Sequence, residues 1–307
     1  MRFTITGVRD GELGQHAWLE MLLTPLRPPA PSYYGAAAVD VDAVAERLLH
    51  VLDTGALCEP VSEDVSGFSA GEGYAVLAAI GRRRVDRGWR RVGRKIGFTN
   101  RTIWEVYGVD RAFWADVWDG TVVCARGGAA SVELGAFAQP RIEPEVVFRL
   151  QGPVPVTDDP VAVLAAVDGI APAFEVVRCP YPGWRFGIAD CIAAAGFHGA
   201  LVVGTSMSID DVDRDALAAT LASFEATVSC NGELVDSGVG ANVLDSPALA
   251  LGHLARVVSE QPGAPDLEAG ELVTTGTITN AHPVRAGERW RADYGALGLE
   301  PLTLTFA

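Results

Sequence analysis

The sequence predicts an α+β fold, in which a helical N-terminal part precedes a larger mixed β domain. Two observations support this prediction: apolar stripes at helical spacing dominate before Lys95, and short β-rich runs separated by Gly, Pro, Asp and Asn dominate after it. The 307 residues are 49% hydrophobic, enough for a sizeable core. We therefore divide the chain into an extension (1–38), a helical part (39–94) and a β domain (95–307).

The helical part contains two candidate helices. Residues 39–54 place apolar side chains on one stripe. A second helix is expected to begin at Ser69, an N-cap with Glu72 three residues on, as in a capping box. The basic residues of 82–94 fit a helix C-terminus or a solvated face. Residues 1–38 end in a proline-rich, linker-like run.

The β domain alternates short strands with turn residues. Asn231-Gly232 is a strong hairpin signal. Helices are expected near 158–168 and 247–259, the second with Ser246 as N-cap and Pro247 at its first position. The candidate strands are 121–125, 142–150, 171–178, 199–204, 223–230, 233–236, 271–278, 288–293 and 300–306.

Composition excludes several classes of function. The net charge of −15 disfavours nucleic acid and anionic membranes as partners. Five scattered cysteines without a CxxC pair disfavour a disulfide framework or a zinc site and indicate a reducing compartment. Neither an apolar run of about 18 residues nor a secretory signal is recognisable. We therefore expect a cytoplasmic protein without membrane contact.

Two glutamates share one face of a predicted strand. Side chains alternate along a strand, so Glu143 and Glu145 project together while Pro144 projects opposite. Two carboxylates about 7 Å apart beside apolar residues need a counterion. Mg²⁺ or Mn²⁺, which prefer oxygen ligands, would satisfy both. An ordinary solvated strand face is the alternative, and Pro144 suggests a sheet edge or bulge.

A third acid, Glu175, interrupts an otherwise apolar strand. Isolated buried carboxylates are rare unless they are paired or bind a metal. With Glu143 and Glu145 it would supply three oxygen ligands. The alternative is an edge-strand glutamate paired with Arg178 or Arg149.

Lys95 is the only lysine, and the other basic residues among the 24 are arginines. Keeping lysine against this bias suggests a need for a compact ammonium whose pKa falls on burial, although chance retention at the surface is the alternative. Nearby Gly97 would permit close backbone approach. Thr277 and Thr279 lie in a Gly- and Thr-rich run that could bind a carboxylate, or form a plain strand with a bulge. For His198 a structural role is favoured over a cleft position.

In this order, the segments resemble the fumarylacetoacetate hydrolase superfamily, and within it the branch of 2-keto-4-pentenoate hydratases and 4-oxalocrotonate decarboxylases. The resemblance covers roughly residues 40–307, and two departures bear on the substrate: residues 111–115 replace a Pro-Asp-Phe/Tyr-Gly pattern, and 244–247 replace Leu-Gly-x-Pro. The matching segments are GRKIGFT at 93–99, YGV at 107–109, RIEPEVV at 141–147, FEVV at 174–177, IAD at 188–190, GTIT at 276–279, HPV at 282–284, AG at 286–287, RADYG at 291–295 and LG at 297–298.

The resemblance implies a mixed β-roll or sandwich of the C-terminal-domain type, a homo-oligomer, and Mg²⁺ or Mn²⁺ as cofactor. It places the metal ligands at Glu143, Glu145 and Glu175 and an active-site lysine at Lys95. It also implies an enzyme of aromatic catabolism that acts on a small 2-oxo or 2-hydroxydienoate acid. Asp190 and His198 are weaker candidates, as residues that support the metal ligands.

The expected chemistry is chelation of a 2-oxo acid and stabilisation of an enolate by the metal. Lys95 would neutralise charge or transfer a proton, and Gly97, Thr277 and Thr279 would bind substrate. A hydratase is the first expectation, and a decarboxylase of a 2-oxo-enedioate the second. An acylpyruvate C–C hydrolase comes third, because no local His–Glu pair is evident to activate water. A catalytically silent binding protein of the same fold is the non-enzyme alternative.

Overall fold

The computed structural model describes residues 39–261 and 264–307, so the predicted extension 1–38 lies outside the described residues. The N-terminal helices are α1 (Val41–Thr54), α2 (Val61–Asp64) and α3 (Ala70–Asp86). Helix α3 begins at the predicted capping box, in which Ser69 and Glu72 each accept a hydrogen bond from the other's backbone N–H. None of the helices in the described part of the chain has the length and apolar character that a membrane span requires.

The remaining elements are mostly strands. In chain order the strands of the described residues are β1 (Arg91–Gly97), β2 (Phe113–Trp118), β3 (Val122–Cys124), β4 (Ala129–Val132), β5 (Arg141–Leu150), β6 (Val167–Val177), β7 (His198–Val203), β8 (Met207–Ser208), β9 (Glu225–Cys230), β10 (Glu233–Val239), β11 (Leu272–Thr274), β12 (His282–Pro283), β13 (Arg289–Asp293) and β14 (Leu302–Phe306). The helices among them are α4 (Trp104–Tyr107), α5 (Pro160–Leu164), α6 (Ile188–Ala193), α7 (Arg214–Ser223) and α8 (Pro247–Glu260).

The strands form two sheets. The larger has the order β2-β1-β11-β5-β6-β7-β3, with β12 added beside β5 and β8 beside β6. The smaller has the order β10-β9-β13-β14-β4. Most pairs are antiparallel, while β1 with β11, β3 with β7 and β4 with β14 are parallel. The helices and both sheets contribute to one main hydrophobic core, so the predicted α+β class with a mixed β domain is confirmed.

Strand β1 crosses the predicted boundary between residues 94 and 95 and lies inside the larger sheet. The division into domains stays a prediction. The elements additional to the predicted ones are strands β1, β2, β4, β8 and β12 and helices α2, α4, α6 and α7. Strand β6 begins before residue 171, and the helix expected at 158–168 is correspondingly short.

The sequence predicted a sheet edge or a bulge around Pro144, and the sheet-edge alternative was wrong. Strand β5 lies between β6 on one side and β11 with β12 on the other. Pro144 is accommodated because its backbone faces the irregular segment 275–281 that separates β11 from β12, where its carbonyl accepts a hydrogen bond from Ile278 N at 3.0 Å. The absence of an N–H on Pro144 therefore removes no hydrogen bond between paired strands at this position.

The prediction that 82–94 forms a helix end or solvated face is confirmed for the basic helix end at 82–86, but it was wrong for the three arginines of this run that are buried. Helix α3 ends at Asp86, and Arg84, Arg91 and Arg94 are buried. Arg94 forms an ion pair at 3.4 Å with the fully buried Glu271, and Arg84 packs over the Trp89 ring at 4.6 Å. Burial lowers the pKa of Arg84 to about 10. Composition alone could not reveal these buried partners.

Candidate metal centre

Antiparallel pairing of β5 with β6 brings the three glutamates together. Glu143 lies directly opposite Glu175, and Glu145 follows two residues along the same strand face. Each side chain offers one oxygen atom, and these three atoms all lie within 4.8 Å of one another. Glu145 and Glu175 are buried and Glu143 is half-buried. The cluster could therefore hold a metal ion.

Glu145 is held by the segment that follows β11. Its Oε2 accepts hydrogen bonds from Gly276 N at 2.8 Å and from Thr274 Oγ1. Its other oxygen, Oε1, is buried and has no hydrogen-bond partner among the described residues. A buried carboxylate oxygen without a donor is costly, and a cation would remove this cost. The sequence pointed to this Gly/Thr run but not to Thr274 within it.

Glu175 contacts two cationic or potentially cationic side chains. Lys95 Nζ lies 2.8 Å from Oε2, and His198 Nδ1 lies 2.7 Å from Oε1. His198 Nε2 lies 2.8 Å from Thr121 Oγ1, so both ring nitrogens have partners. The fold thus creates a His–Glu pair that is invisible in the sequence, because its members lie on neighbouring strands.

A strained turn fixes Lys95. The ammonium donates a hydrogen bond at 3.0 Å to the carbonyl of Gly196. Ala195, Gly196 and Phe197 have φ of 55°, 59° and 61°, a left-handed conformation that costs non-glycine residues about 1–3 kcal/mol each. This strain is retained in the turn that presents the Gly196 carbonyl to the lysine.

The electrostatics distinguish the three acids. Burial raises the pKa of Glu143 to about 7, with Lys95 opposing the shift and Glu175 adding to it. Burial and the other two carboxylates raise the pKa of Glu145 well above its usual range. Burial would also raise the pKa of Glu175, but Lys95 and His198 outweigh it and hold the pKa at about 2. The raised pKa values mean that Glu143 and Glu145 release their protons more readily when additional positive charge lies close to them.

The expectation that burial lowers the pKa of Lys95 was wrong. Burial acts in that direction, but Glu175, Glu143 and Glu145 outweigh it and raise the pKa above its usual value. For His198, burial outweighs Glu175 and lowers the pKa, so the neutral ring donates from Nδ1 to the carboxylate. When all three glutamates are ionised, they and the Lys95 ammonium together carry two negative charges, which a divalent cation would balance.

Other predicted residues have partners of their own. The space above Gly97 is filled by the Phe113 ring, since a Cβ there would lie 2.1 Å from Phe113 Cζ. Thr277 Oγ1 donates to the Thr279 carbonyl at 3.0 Å, and Thr279 Oγ1 donates to a neighbouring carbonyl at 3.0 Å. Asp190 accepts from Ser62 and from the N-terminal backbone of α6. Roles for these residues in substrate or metal binding stay predictions.

Aromatic rings line one side of the lysine. A Cβ on Gly196 would meet both Phe113 Cε2 at 2.9 Å and Lys95 Cδ at 3.2 Å, so the Phe113 ring lies beside the lysine stem. From Phe113 a continuous series of ring contacts, with centroids 4.6–5.2 Å apart, leads through Phe98, Tyr107 and Phe186 to Phe197. Residues 111–115, which differ from the family pattern, thus place the Phe113 ring beside Lys95.

A carboxylate from the smaller sheet holds the segment between β11 and β12. Asp236 Oδ2 accepts hydrogen bonds from the backbone and side chain of Asn280 and contacts His282 Nε2 at 2.8 Å. Partial burial works to raise the pKa of Asp236, but hydrogen bonds from His282 and Asn280 hold it below its usual value. This contact links the β10 hairpin to the segment that supports Glu145.

The match to known proteins covers most of the site. Residues 117–300 match the family described as Fumarylacetoacetate (FAA) hydrolase C-terminal. The chain belongs to the fumarylacetoacetate hydrolase family. The resemblance inferred from the sequence motifs is therefore confirmed.

Two relatives and one solved structure place the chain within the family. A 4-oxalocrotonate decarboxylase from Pseudomonas sp is 31% identical over 84% of this chain and 95% of the relative. A 2-keto-4-pentenoate hydratase from Paraburkholderia xenovorans (strain LB400) is 29% identical over 84% and 92%. The structure of 4-oxalocrotonate decarboxylase from Pseudomonas putida G7, complexed with magnesium and adipate, has a TM-score of 0.80 at 26% identity, over 89% of this chain and 100% of that chain. The family relatives thus include both hydratases and decarboxylases.

Proposed function

We propose that this chain is a divalent-metal-dependent lyase that acts on a 2-oxo or 2-hydroxydienoate acid. The observation that carries the proposal is the group of three glutamate oxygens within 4.8 Å, with a lysine ammonium 2.8 Å from Glu175. Lyase relatives and the magnesium of the similar decarboxylase structure support it. Glu143, Glu145 and Glu175 would hold Mg²⁺ or Mn²⁺, and the orphaned Oε1 of Glu145 fits that role.

The bound ion would supply a Lewis acid that polarises the 2-oxo group of the substrate. The protein supplies the surroundings of that group. Lys95, fixed by Glu175 and Gly196, places a positive charge where the enolate charge of the substrate develops, and it can donate a proton there. Thr274 and Gly276 hold Glu145 in place, and His198 orients Glu175.

Hydration is the first candidate reaction, and the hydratase relative supports it. Water adds across the distal C=C of the substrate, with its hydroxyl on one carbon and a proton on the other. Decarboxylation is the second candidate, and the decarboxylase relative together with the similar decarboxylase structure supports it. Hydrolysis is not favoured, because both nitrogens of His198 already have partners.

Incubation with 2-hydroxydienoates and 2-oxo-enedioates in the presence of Mg²⁺, followed by mass spectrometry, tests the proposal. Gain of water identifies a hydratase and loss of CO₂ identifies a decarboxylase. The Glu175→Ala variant should lose both the reaction and the thermal stabilisation by oxalate with Mg²⁺. If neither oxalate nor a divalent metal raises the Tm of the unmodified chain, the proposal is wrong.

A further inference from the structure

Arg141 stands at the start of β5, on the strand face that carries Glu143 and Glu145. The residue is half-buried, and its Cζ lies 4.1 Å from the centroid of the Trp184 ring. No ion pair within residues 39–261 and 264–307 includes Arg141. In a chain of net charge −15, a half-buried arginine without a carboxylate partner in this part of the chain is available to an anionic ligand.

The ring beneath the guanidinium is firmly held. Trp184 Nε1 donates to the Gln139 carbonyl at 3.2 Å, and the ring packs edge-on against Phe197 at 5.6 Å. The Gln139 side chain binds the same turn, accepting from Gly183 N at 2.8 Å and donating to the Tyr181 carbonyl at 2.7 Å. The position of Arg141 is therefore preorganised, which reduces the entropic cost of binding a ligand.

The same contacts connect Arg141 with the lysine. Phe197, which packs against Trp184, directly follows Gly196, whose carbonyl accepts the Lys95 hydrogen bond. The aromatic series that begins at Phe113 ends at Phe197. Ring contacts thus connect the surroundings of Lys95 with the Trp184 ring, over which the Arg141 guanidinium packs.

We propose that Arg141, supported by Trp184, determines specificity by binding the distal carboxylate of the substrate, which is therefore a 2-oxo-enedioate. This inference rests on the proposed function. Positions two apart on one strand face lie about 7 Å apart, and the guanidinium packs over Trp184 without forming an ion pair with Glu143. A guanidinium binds a carboxylate through two parallel hydrogen bonds, whereas a methyl group in that place would leave the charge unpaired. Binding of this carboxylate also opposes its loss as CO₂ and so favours hydration.

Arg141 could instead act only as a counter-charge for Glu143. These two roles differ in the ligands they affect. A counter-charge acts on every ligand that binds at the metal, whereas a carboxylate-binding residue acts only on ligands long enough to reach it.

Binding of three unreactive probes in the presence of Mg²⁺, measured by calorimetry, separates the roles. Oxalate reports on the metal centre, 2-oxohexanoate adds an uncharged tail, and 2-oxoadipate adds the distal carboxylate. We expect 2-oxoadipate to bind about 10- to 100-fold more tightly than 2-oxohexanoate. Arg141→Gln should bring this ratio close to one and leave oxalate affinity unchanged. The control Arg185→Gln, which alters an exposed arginine on the same turn, should keep the ratio.

The inference is overturned if 2-oxoadipate has no advantage in the unmodified chain, or if Arg141→Gln keeps that advantage or weakens all three probes equally. If Arg141→Gln does not fold, Trp184→Leu provides the same comparison, because loss of the ring should also reduce the ratio. Failure of oxalate to bind the unmodified chain with Mg²⁺ would instead count against the proposed function itself.

Discussion

Replacing Thr274 with valine would remove one of the two hydrogen bonds to Glu145 Oε2 while keeping the shape of the side chain. Thr274 is fully buried, so water cannot replace the lost hydroxyl. The carboxylate would keep Gly276 N as a donor but lose the constraint on its rotation. We therefore expect Thr274→Val to weaken metal binding more than it weakens the fold.

The expected magnitudes follow from this geometry. Loss of one buried hydrogen bond costs about 0.5–1.5 kcal/mol of folding stability. Loss of a residue that orients a metal ligand typically weakens metal affinity about 10- to 100-fold. At about 1.4 kcal/mol for each factor of ten, this is about 1.4–2.8 kcal/mol of metal-binding free energy.

Thr275→Val is the matched control. Thr275 is equally buried, and its hydroxyl donates at 2.9 Å to the Val146 carbonyl rather than to a glutamate. Calorimetric titration with Mg²⁺ measures affinity, and urea unfolding in excess chelator measures stability. Both variants should lose similar stability, but only Thr274→Val should lose metal affinity. Equal Mg²⁺ affinities for the two variants would refute the assigned role of Thr274.

Three further predictions concern stability. Phe113→Ala should lower the free energy of unfolding by about 3–5 kcal/mol in urea titrations, because it empties a buried position; a loss below about 1 kcal/mol would contradict the packing beside Lys95. Gly276→Ala should cost more than Gly270→Ala, since both have positive φ but only at Gly276 would a Cβ collide with Thr99, at 2.0 Å; equal Tm losses would exclude this collision. Because the pKa of Asp236 is lower in the folded protein, its stabilisation is present above its unfolded value of about 3.9 and is lost as the pH falls through the folded value. Asp236→Asn should therefore reduce the loss of stability below about pH 4, and unchanged acid unfolding would contradict the hydrogen-bonded pair.

The sequence indicated the three glutamates and Lys95 because local patterns mark them. Alternation puts Glu143 and Glu145 on one face, an apolar run isolates Glu175, and Lys95 is the only lysine. Their convergence required the pairing of β5 with β6 and the insertion of β1 beside β11, which no local pattern encodes. The order of the family motifs supplied that information instead.

The residues around the ligands were harder to predict, since their partners are distant in the chain. Thr274 and His198 touch glutamates that lie on other strands. Arg94 looked like part of a solvated basic run, yet it is buried against Glu271. Hydropathy assigns a charged residue to the surface unless its buried partner is known.

The pairing of β1 with β11 has a consequence for synthesis of the protein. Lys95 comes from the first third of the chain, whereas Thr274 and Gly276, which hold Glu145, are made near its end. A nascent chain that has produced all three glutamates still lacks the donors for Glu145, and its acids repel each other. The complete site can therefore form only after the C-terminal strands have left the ribosome, and truncation before β11 should leave β5 paired with β6 alone, without β11 and β12 on its other side.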